Sequence, residues 1–369
     1  MAEEKSGSSK HETRLMVYLR AMLAQTLKSP LSLPGLVSRT RHLISVIRKG
    51  EKRRARMAEK LGVPIPFLCI FSVTWRCNLN CRGCYARNYS VKEELPAELI
   101  FKTINECVNM GTCFFVIAGG EPLLMDGLLE KLASRRDAFF LFYTNGMLLK
   151  PMIPVLKEAG NILPVISAEG MDHYTDMRRG RGVAAGVEAA MTELRKNRIP
   201  FAFSTMITHI NIKDVTSRDW LKRQWDLGAR FGFFTDYIPF EKNLTESFVL
   251  TARDREFKRA ALNERRKEAK PPIFNLPPDE YEYGECMAAG RGMIHINADG
   301  YVEPCPYSHF AADSIRSKSI GEILQSGFLK EIRDLIPSLE NPDRECMLFR
   351  NSGRMEEVAG RTGAFRTER

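Results

Sequence analysis

Short apolar runs alternate with longer amphipathic stretches through the middle of this chain. The runs are FLCIFSVTW (67–75), CFFVIAGG (113–120), AFFLFYTNG (138–146), ILPVISAEG (162–170), FAFSTMITH (201–209) and FGFFTDYIP (231–239). They are rich in β-branched and aromatic residues and apolar at successive positions, as in strands buried on both faces. Between them lie stretches with helical spacing, such as AELIFKTINECVNMG and GVAAGVEAAMTELRKNRI. Six such units predict an α/β fold built on a parallel sheet. A partial TIM-like (β/α)6 barrel and a doubly wound sheet share this rhythm, and periodicity does not separate them. Both gather their chemistry at the C-terminal ends of the strands. Each run here ends in polar or glycine-rich residues, as the rim of a site does.

After about residue 240 the rhythm changes. TARDREFKRAALNERRKEAKPP (251–272) reads as a charged helix ended by prolines. CMAAGRGMIHINADGYVEPC, starting at residue 286, reads as two short strands joined through NADG, a hairpin turn. A helical stretch, SIGEILQSGFLKEIRDLI, follows, and the end, GRTGAFRTER, reads as a loose tail. The expected organisation is a basic helical segment over 1–64, a barrel over 65–245, a helical linker over 246–285, a small α+β domain over 286–355 and a flexible tail over 356–369.

Composition adds bounds. The 369 residues are 44% hydrophobic and 27% charged, enough for one large and one small soluble domain. No apolar run is long enough to cross a bilayer, and the first residues lack the apolar core of a secretory signal, so a cytoplasmic protein is expected. The net charge of +10 is concentrated at one end: residues 1–60 hold 14 Lys and Arg against 5 Asp and Glu. That segment contains two amphipathic helix candidates broken near SPLSLP. The reading taken is a helix packed on the barrel with its charges in water. Peripheral contact of residues 1–60 with an anionic membrane surface, at the inner face, is the alternative. Nucleic acid is not expected, because no recognition fold or stacking platform accompanies the charge.

Nine cysteines, an odd number unevenly clustered, fit a reducing compartment with metal or cluster sites better than a disulfide framework. Cys77, Cys81 and Cys84 are spaced C-x3-C-x2-C directly after the first strand. Three thiolates on one loop can hold a [4Fe–4S] cluster and leave one iron open to a small molecule. A zinc knuckle completed from elsewhere, or three unrelated thiols, are the alternatives. Cys69, Cys107 and Cys113 fall inside strand or helix runs and read as core.

The C-x3-C-x2-C motif in this position resembles the signature of the radical S-adenosylmethionine (radical SAM) enzymes. The resemblance extends to GGEP, Gly119, Gly120, Glu121 and Pro122, one β/α unit later. Glycines there let the main chain approach closely and expose carbonyls to a cation, and the resemblance implies contact with the methionine amino group. It further implies that Thr144 and Asn145 of YTNG line the site. Ser167 and Glu169 of ISAEG would reach the ribose or methionine portion; the family more often carries Asp where this chain has Glu169. Arg179 of TDMRRG, or alternatively Arg178, would meet the methionine carboxylate, and Asn211 would lie near the adenosine. The family often has an aromatic residue before the last cysteine. Here Gly83 stands there, with Tyr85 just after. The implied mechanism is one-electron cleavage of S-adenosylmethionine at the cluster, followed by hydrogen-atom abstraction by a 5′-deoxyadenosyl radical.

Cys286, Gly300 and Cys305 form C-x13-G-x4-C, which resembles the opening of the SPASM and twitch auxiliary-cluster domains. With Cys346 as the remaining cysteine, this implies one auxiliary [4Fe–4S] cluster on Cys286, Cys305 and Cys346. The fourth ligand stays open: a non-cysteine residue, with His309 nearby in sequence, a substrate atom or none. Three buried core thiols are the alternative. The sequence leaves the substrate undefined as a small molecule, a lipid or a peptide, with 1–64 too short and strand-poor for a leader-peptide module. A flavodoxin or ferredoxin is the expected kind of electron donor. The rivals are a lipid-modifying enzyme held at a membrane and a non-catalytic zinc or iron–sulfur protein.

Overall fold

The structure is a computed structural model. It describes residues 33–369 apart from 90–93, 241–243, 269–270, 278, 280–285, 343–344 and 369. The first of the two basic helix candidates lies outside the described residues. One sheet organises the chain. Its strands are β1 (Leu68–Ser72), β2 (Phe114–Ala118), β3 (Phe139–Thr144), β4 (Ile162–Ser167), β5 (Ala202–Ile207), β6 (Phe231–Asp236), β7 (Ile273–Leu276), β8 (Met293–Ile296) and β9 (Val302–Glu303). They lie in the order β7-β6-β5-β4-β3-β2-β1-β8-β9. The first eight are parallel and β9 runs antiparallel to β8. Because consecutive β/α units are neighbours, the sheet curls as a partial barrel, which settles the choice that periodicity left open.

Alternation along the strands separates two apolar layers. In β4, Ile162 and Ile166 join the large outer core, with Phe71, Phe115, Phe140 and the helix residues Leu132 and Leu194. Val165, with Leu163 packed beside it, joins Phe231, Phe233 and Phe274 in a smaller inner cluster. The inner cluster is therefore apolar and rich in phenylalanine. The outer layer carries the helices, and burial of each large side chain there stabilises the fold by about 1.5–3 kcal/mol.

The helix Leu33–Leu61 packs under the sheet, at the strand starts. Val46 and Ile47 meet Cys113, with Phe114 and Phe139 beside them. Two glycines allow the contact: a Cβ on Gly50 would lie 2.8 Å from the Gly111 carbonyl, and one on Gly111 would lie 2.4 Å from the Gly50 carbonyl.

Three stretches differ from the sequence reading. The 246–285 stretch holds the helix Ala252–Lys267 but also β7, which pairs with β6. The hairpin read as part of a separate domain continues the barrel sheet, with β8 beside β1 in the register Ile70↔His295. The end of the chain is not loose. Ser352–Thr362 is a helix that buries Met355, Val358 and Ala359, and β11 (Phe365–Arg366) pairs with β10 (Phe310–Ala311). Its apolar residues were too few and too spaced to stand out against the surrounding charges.

Candidate active site at the strand ends

β1 ends at Ser72 and the chain turns into the loop of Cys77, Cys81 and Cys84. Two neighbouring structures grip this loop. On one side GGEP hydrogen-bonds to its first residues: Gly120 N–H donates to the Thr74 carbonyl at 2.6 Å and Glu121 N–H to the Arg76 carbonyl at 2.8 Å. A Cβ on Gly119 would lie 2.4 Å from the Thr74 oxygen, and one on Gly120 would lie 2.0 Å from that of Arg76. These glycines are thus required for contact between two backbones, a constraint the sequence reading did not contain. The Glu121 carboxylate is 1% exposed and accepts from Thr144 Oγ1 at 2.8 Å, Asn145 N–H at 2.9 Å and Leu123 N–H at 3.1 Å. Burial pushes its carboxyl above the usual range against these donors. Pro122 opens the short turn that follows. Asn145 Nδ2 donates to Asn78 Oδ1 at 2.8 Å, which ties the end of β3 to the cysteine loop itself.

On the other side, Arg82 N–H donates to the Arg178 carbonyl at 2.8 Å. Arg178 and Arg179, at the end of the helix Asp172–Arg179, both reach Glu169 just past β4. Arg178 Nη1 lies 2.6 Å and Arg179 Nη2 2.5 Å from Glu169 Oε1, and Met206 N–H donates to Oε2 at 3.1 Å. Burial alone pushes Glu169 up; the two guanidiniums outweigh it and hold the carboxyl below the usual range. Asn211 Nδ2 donates to the Glu169 carbonyl at 3.0 Å, fixing the loop. Ser167 closes β4 and pairs in register with Ser204. Burial pushes the Cys81 thiol up, while the charges of Arg179 and Arg178 pull it down. The structure therefore brings the candidates of β2, β3, β4 and the cysteine loop together, with both arginines on one carboxylate.

Gly83 has φ +63°, and a Cβ there would lie 2.9 Å from the Tyr237 ring and 3.3 Å from Phe248. The position that is often aromatic in the family is closed here by Tyr237, just past β6, and by Phe248 of the turn Glu246–Phe248. Tyr85 points elsewhere. Its hydroxyl lies 3.1 Å from Ser72 Oγ, which lies 2.8 Å from His295 Nε2, and His295 Nδ1 lies 2.7 Å from Glu303 Oε2. Tyr89 also donates to Glu303, at 3.0 Å. Ser72, His295 and Glu303 are 0% exposed. Sequence reasoning missed this chain. The signal was available in the hairpin, because His295 and Glu303 are directly paired across β8 and β9.

The second set of thiols lies on three separate segments. Cys286, Cys305 and Cys346 are all buried. Ala289 N–H donates to the Pro304 carbonyl at 3.0 Å, joining the first two segments, and the Cys346 carbonyl accepts from Arg350 N–H at 2.9 Å. A ladder of rings runs from the first loop toward this region: Trp75 stacks on Tyr89 at 4.0 Å, Tyr89 meets His309 at 5.1 Å and His309 stacks on Phe240 at 4.3 Å. His309, weighed above as a fourth ligand, has both nitrogens engaged: Nδ1 with Glu368 at 2.9 Å and Nε2 with the Pro306 carbonyl at 3.2 Å.

Among the described residues, no three His, Cys, Asp or Glu side chains gather around one point as a single ion requires. A four-iron cluster asks something different, because each thiolate reaches its own iron. Two buried donors beside the first loop have no hydrogen-bond partner among the described residues: Trp75 Nε1, two positions before Cys77, and Arg178 Nε. Orphaned buried donors are rare and call for acceptors. Inorganic sulfides and a nucleotide carboxylate are acceptors, so the residues present fit such a group.

Residues 71–221 match the family model described as the radical SAM superfamily. Residues 286–347 match an iron–sulfur cluster-binding domain, SPASM. The chain carries a radical SAM domain and, after it, a SPASM domain. This radical SAM chain is 27% identical over 269 residues to the sporulation killing factor maturation protein SkfB of Bacillus subtilis. That match covers 68% of the chain and 64% of SkfB, just under two thirds of that relative's length. It is 26% identical over 276 residues to GTP 3′,8-cyclase of Clostridium botulinum, covering 68% of the chain and 84% of the cyclase. Among solved structures, Streptococcus suis SuiB bound to the precursor peptide SuiA superposes with TM-score 0.64 at 14% identity, over 76% of this chain and 69% of SuiB. That likeness bears on fold alone. The protein is thus a radical SAM enzyme with a SPASM-type domain; its family implies a [4Fe–4S] cluster, S-adenosylmethionine and a further iron–sulfur cluster. No helix among the described residues is long and apolar enough to cross a membrane.

Proposed function

We propose that this protein cleaves S-adenosylmethionine reductively and removes a hydrogen atom from a substrate held over the inner face of the barrel. The observation that carries the reading is the double clamp on the cysteine loop, with GGEP on one side and the Glu169–Arg178–Arg179 group on the other. When bound, the cluster supplies the electron that breaks the sulfonium bond. The rest is the work of the chain. Cys77, Cys81 and Cys84 are the metal ligands. The backbone of Gly119 and Gly120, stiffened by Glu121 and Pro122, faces the methionine amino group. Arg179, with Arg178 beside it, offers positive charge to the carboxylate while Glu169 fixes both. Thr144, Asn145 and Ser167 line the strand ends, and Tyr85 braces the loop from below. The inner layer of Phe231, Phe233 and Phe274 keeps water from a reactive radical. Cys286, Cys305 and Cys346 hold the auxiliary cluster, and a flavodoxin or ferredoxin delivers the electron.

Near-equal likeness to a peptide maturation protein and to a GTP cyclase selects no substrate, so the reading stops at the reaction class. Anaerobic reduction of the reconstituted protein with S-adenosylmethionine tests it: 5′-deoxyadenosine forms, and Cys81→Ala abolishes it. Equal yields from both proteins refute the reading.

A second reading concerns the membrane. The outer face of the helix Leu33–Leu61 exposes Arg41, Arg48, Lys49, Lys52 and Arg56. Its apolar face, at Val46 and Ile47, is spent on the sheet, so contact with an anionic surface is electrostatic only. Flotation with phosphatidylglycerol vesicles that disappears in moderate salt supports this contact; no flotation removes it.

A further inference from the structure

We propose that Ser308 is the fourth protein ligand of the auxiliary cluster, bound through its deprotonated Oγ. The inference rests on the assignment of Cys286, Cys305 and Cys346 to that cluster. Three observations carry it. First, Ser308 is 5% exposed and its Oγ is buried with no hydrogen-bond partner among the described residues. A buried hydroxyl left unpaired is destabilising, so a protein keeps one where something else completes it.

Second, Cys305 and Ser308 form an antiparallel bridge around the turn Cys305-Pro306-Tyr307-Ser308, with Ser308 N–H donating to the Cys305 carbonyl at 3.2 Å. Residues paired across such a bridge project to the same face, with Cβ atoms roughly 4.5–5.5 Å apart. Two intervening residues is also the ligand spacing of C-x2-C metal and cluster motifs. Ser308 therefore stands where the second cysteine of such a pair would stand, with oxygen in place of sulfur. Third, the nearest rival is occupied: both ring nitrogens of His309 are engaged by Glu368 and by the Pro306 carbonyl.

Coordination exchanges the O–H bond for an Fe–O bond and releases one proton; no electron moves. The consequence is an auxiliary cluster ligated on all four irons by the protein, with three thiolates and one alkoxide. Such a cluster has no open iron for a substrate.

The test uses the full chain carrying Cys77→Ala, Cys81→Ala and Cys84→Ala, so that only the auxiliary cluster is read, after anaerobic reconstitution. Ser308→Ala is expected to lose about one iron in four on mild oxidation, with a three-iron electron-spin signal. Ser308→Cys is expected to keep all four and to shift the midpoint potential upward, because a thiolate favours the oxidised irons less than an alkoxide does. Apo forms of both variants are expected to melt no lower than the parent, because the alanine removes an unpaired hydroxyl; a lower melting point would assign Ser308 to the fold instead. If Ser308→Ala retains the parent's four-iron spectrum and potential through the same oxidation, the proposal fails. If the parent assembles no cluster, the three-cysteine assignment fails with it. Formation of 5′-deoxyadenosine by the unmutated protein reports on the first site independently of either result.

Discussion

The two cysteine sets of this molecule are built in opposite ways. Cys77, Cys81 and Cys84 sit within eight residues on one loop, and Cys77 is exposed. Neighbouring strand ends clamp that loop through backbone contacts and a buried charge group. Cys286, Cys305 and Cys346 span sixty residues and are all buried, with Cys286 before the β8–β9 hairpin, Cys305 just after it and Cys346 at the start of the helix Met347–Arg350. A loop-borne set leaves its ligand side open, which suits a site that must admit a nucleotide. A set of buried thiols lies away from solvent, which suits a cluster that is kept rather than visited. The difference separates reactivity from retention within one chain.

The largest effect that sharpens this contrast comes from removing each set. Replacing Cys77, Cys81 and Cys84 with alanine is expected to drop iron by about four per chain and 5′-deoxyadenosine formation to background. Replacing Cys286, Cys305 and Cys346 is expected to remove a similar amount of iron yet leave uncoupled cleavage of S-adenosylmethionine within a few-fold. Equal loss of cleavage in both would erase the distinction. Next is Glu169→Gln, which leaves Arg178 and Arg179 buried without their counter-charge. Breaking a buried pair of this kind costs about 3–5 kcal/mol, read from denaturant unfolding. The pH dependence has a definite sign. The folded carboxyl of Glu169 is held low, so its contribution is present above the ordinary carboxylate value of about 4.3 and fades as pH falls through the folded value. The gap between wild type and variant therefore narrows in acid. Glu121, raised by burial, contributes in the opposite sense, and Glu121→Gln is expected to gain relative to wild type as pH rises through the folded value of Glu121.

Gly83→Ala adds a side chain at positive φ against Tyr237 and Phe248. The expected cost is about 1–3 kcal/mol, together with weaker nucleotide binding, checked by melting and by titration calorimetry. Smallest is Tyr89→Phe, which deletes one hydrogen bond to Glu303 while keeping the stack on Trp75. About 1 kcal/mol is expected.

How far the sequence reached follows the same contrast. The six central strands and the first cysteine loop were legible because their signals are local: continuous apolar runs and a spacing of a few residues. The assembly of GGEP, Thr144, Asn145, Glu169 and Arg179 at one end followed from the rule that parallel strands gather their C-terminal ends. What escaped was non-local. Nothing near Ser72 announces a bond to His295, 223 residues away. The junction of β8 with β1 is invisible to a window of any practical length. The backbone contact of Gly120 with Arg76 depends on two loops meeting, not on either one. The charged end of the chain hid a helix because its buried residues, Met355, Val358 and Ala359, are scattered among solvated ones.

The pairing of β8 against β1 bears on how this molecule can be taken apart. β1 has neighbours on both sides, and one of them arrives more than two hundred residues later. Cutting the chain after β7 would strip that neighbour away and bare a row of amide and carbonyl groups beside the cysteine loop, an invitation to aggregate. Cassette exchange between relatives, trading one carboxy-terminal half for another, must therefore carry a strand that fits the register of Leu68 to Phe71 or lose the first half along with the second.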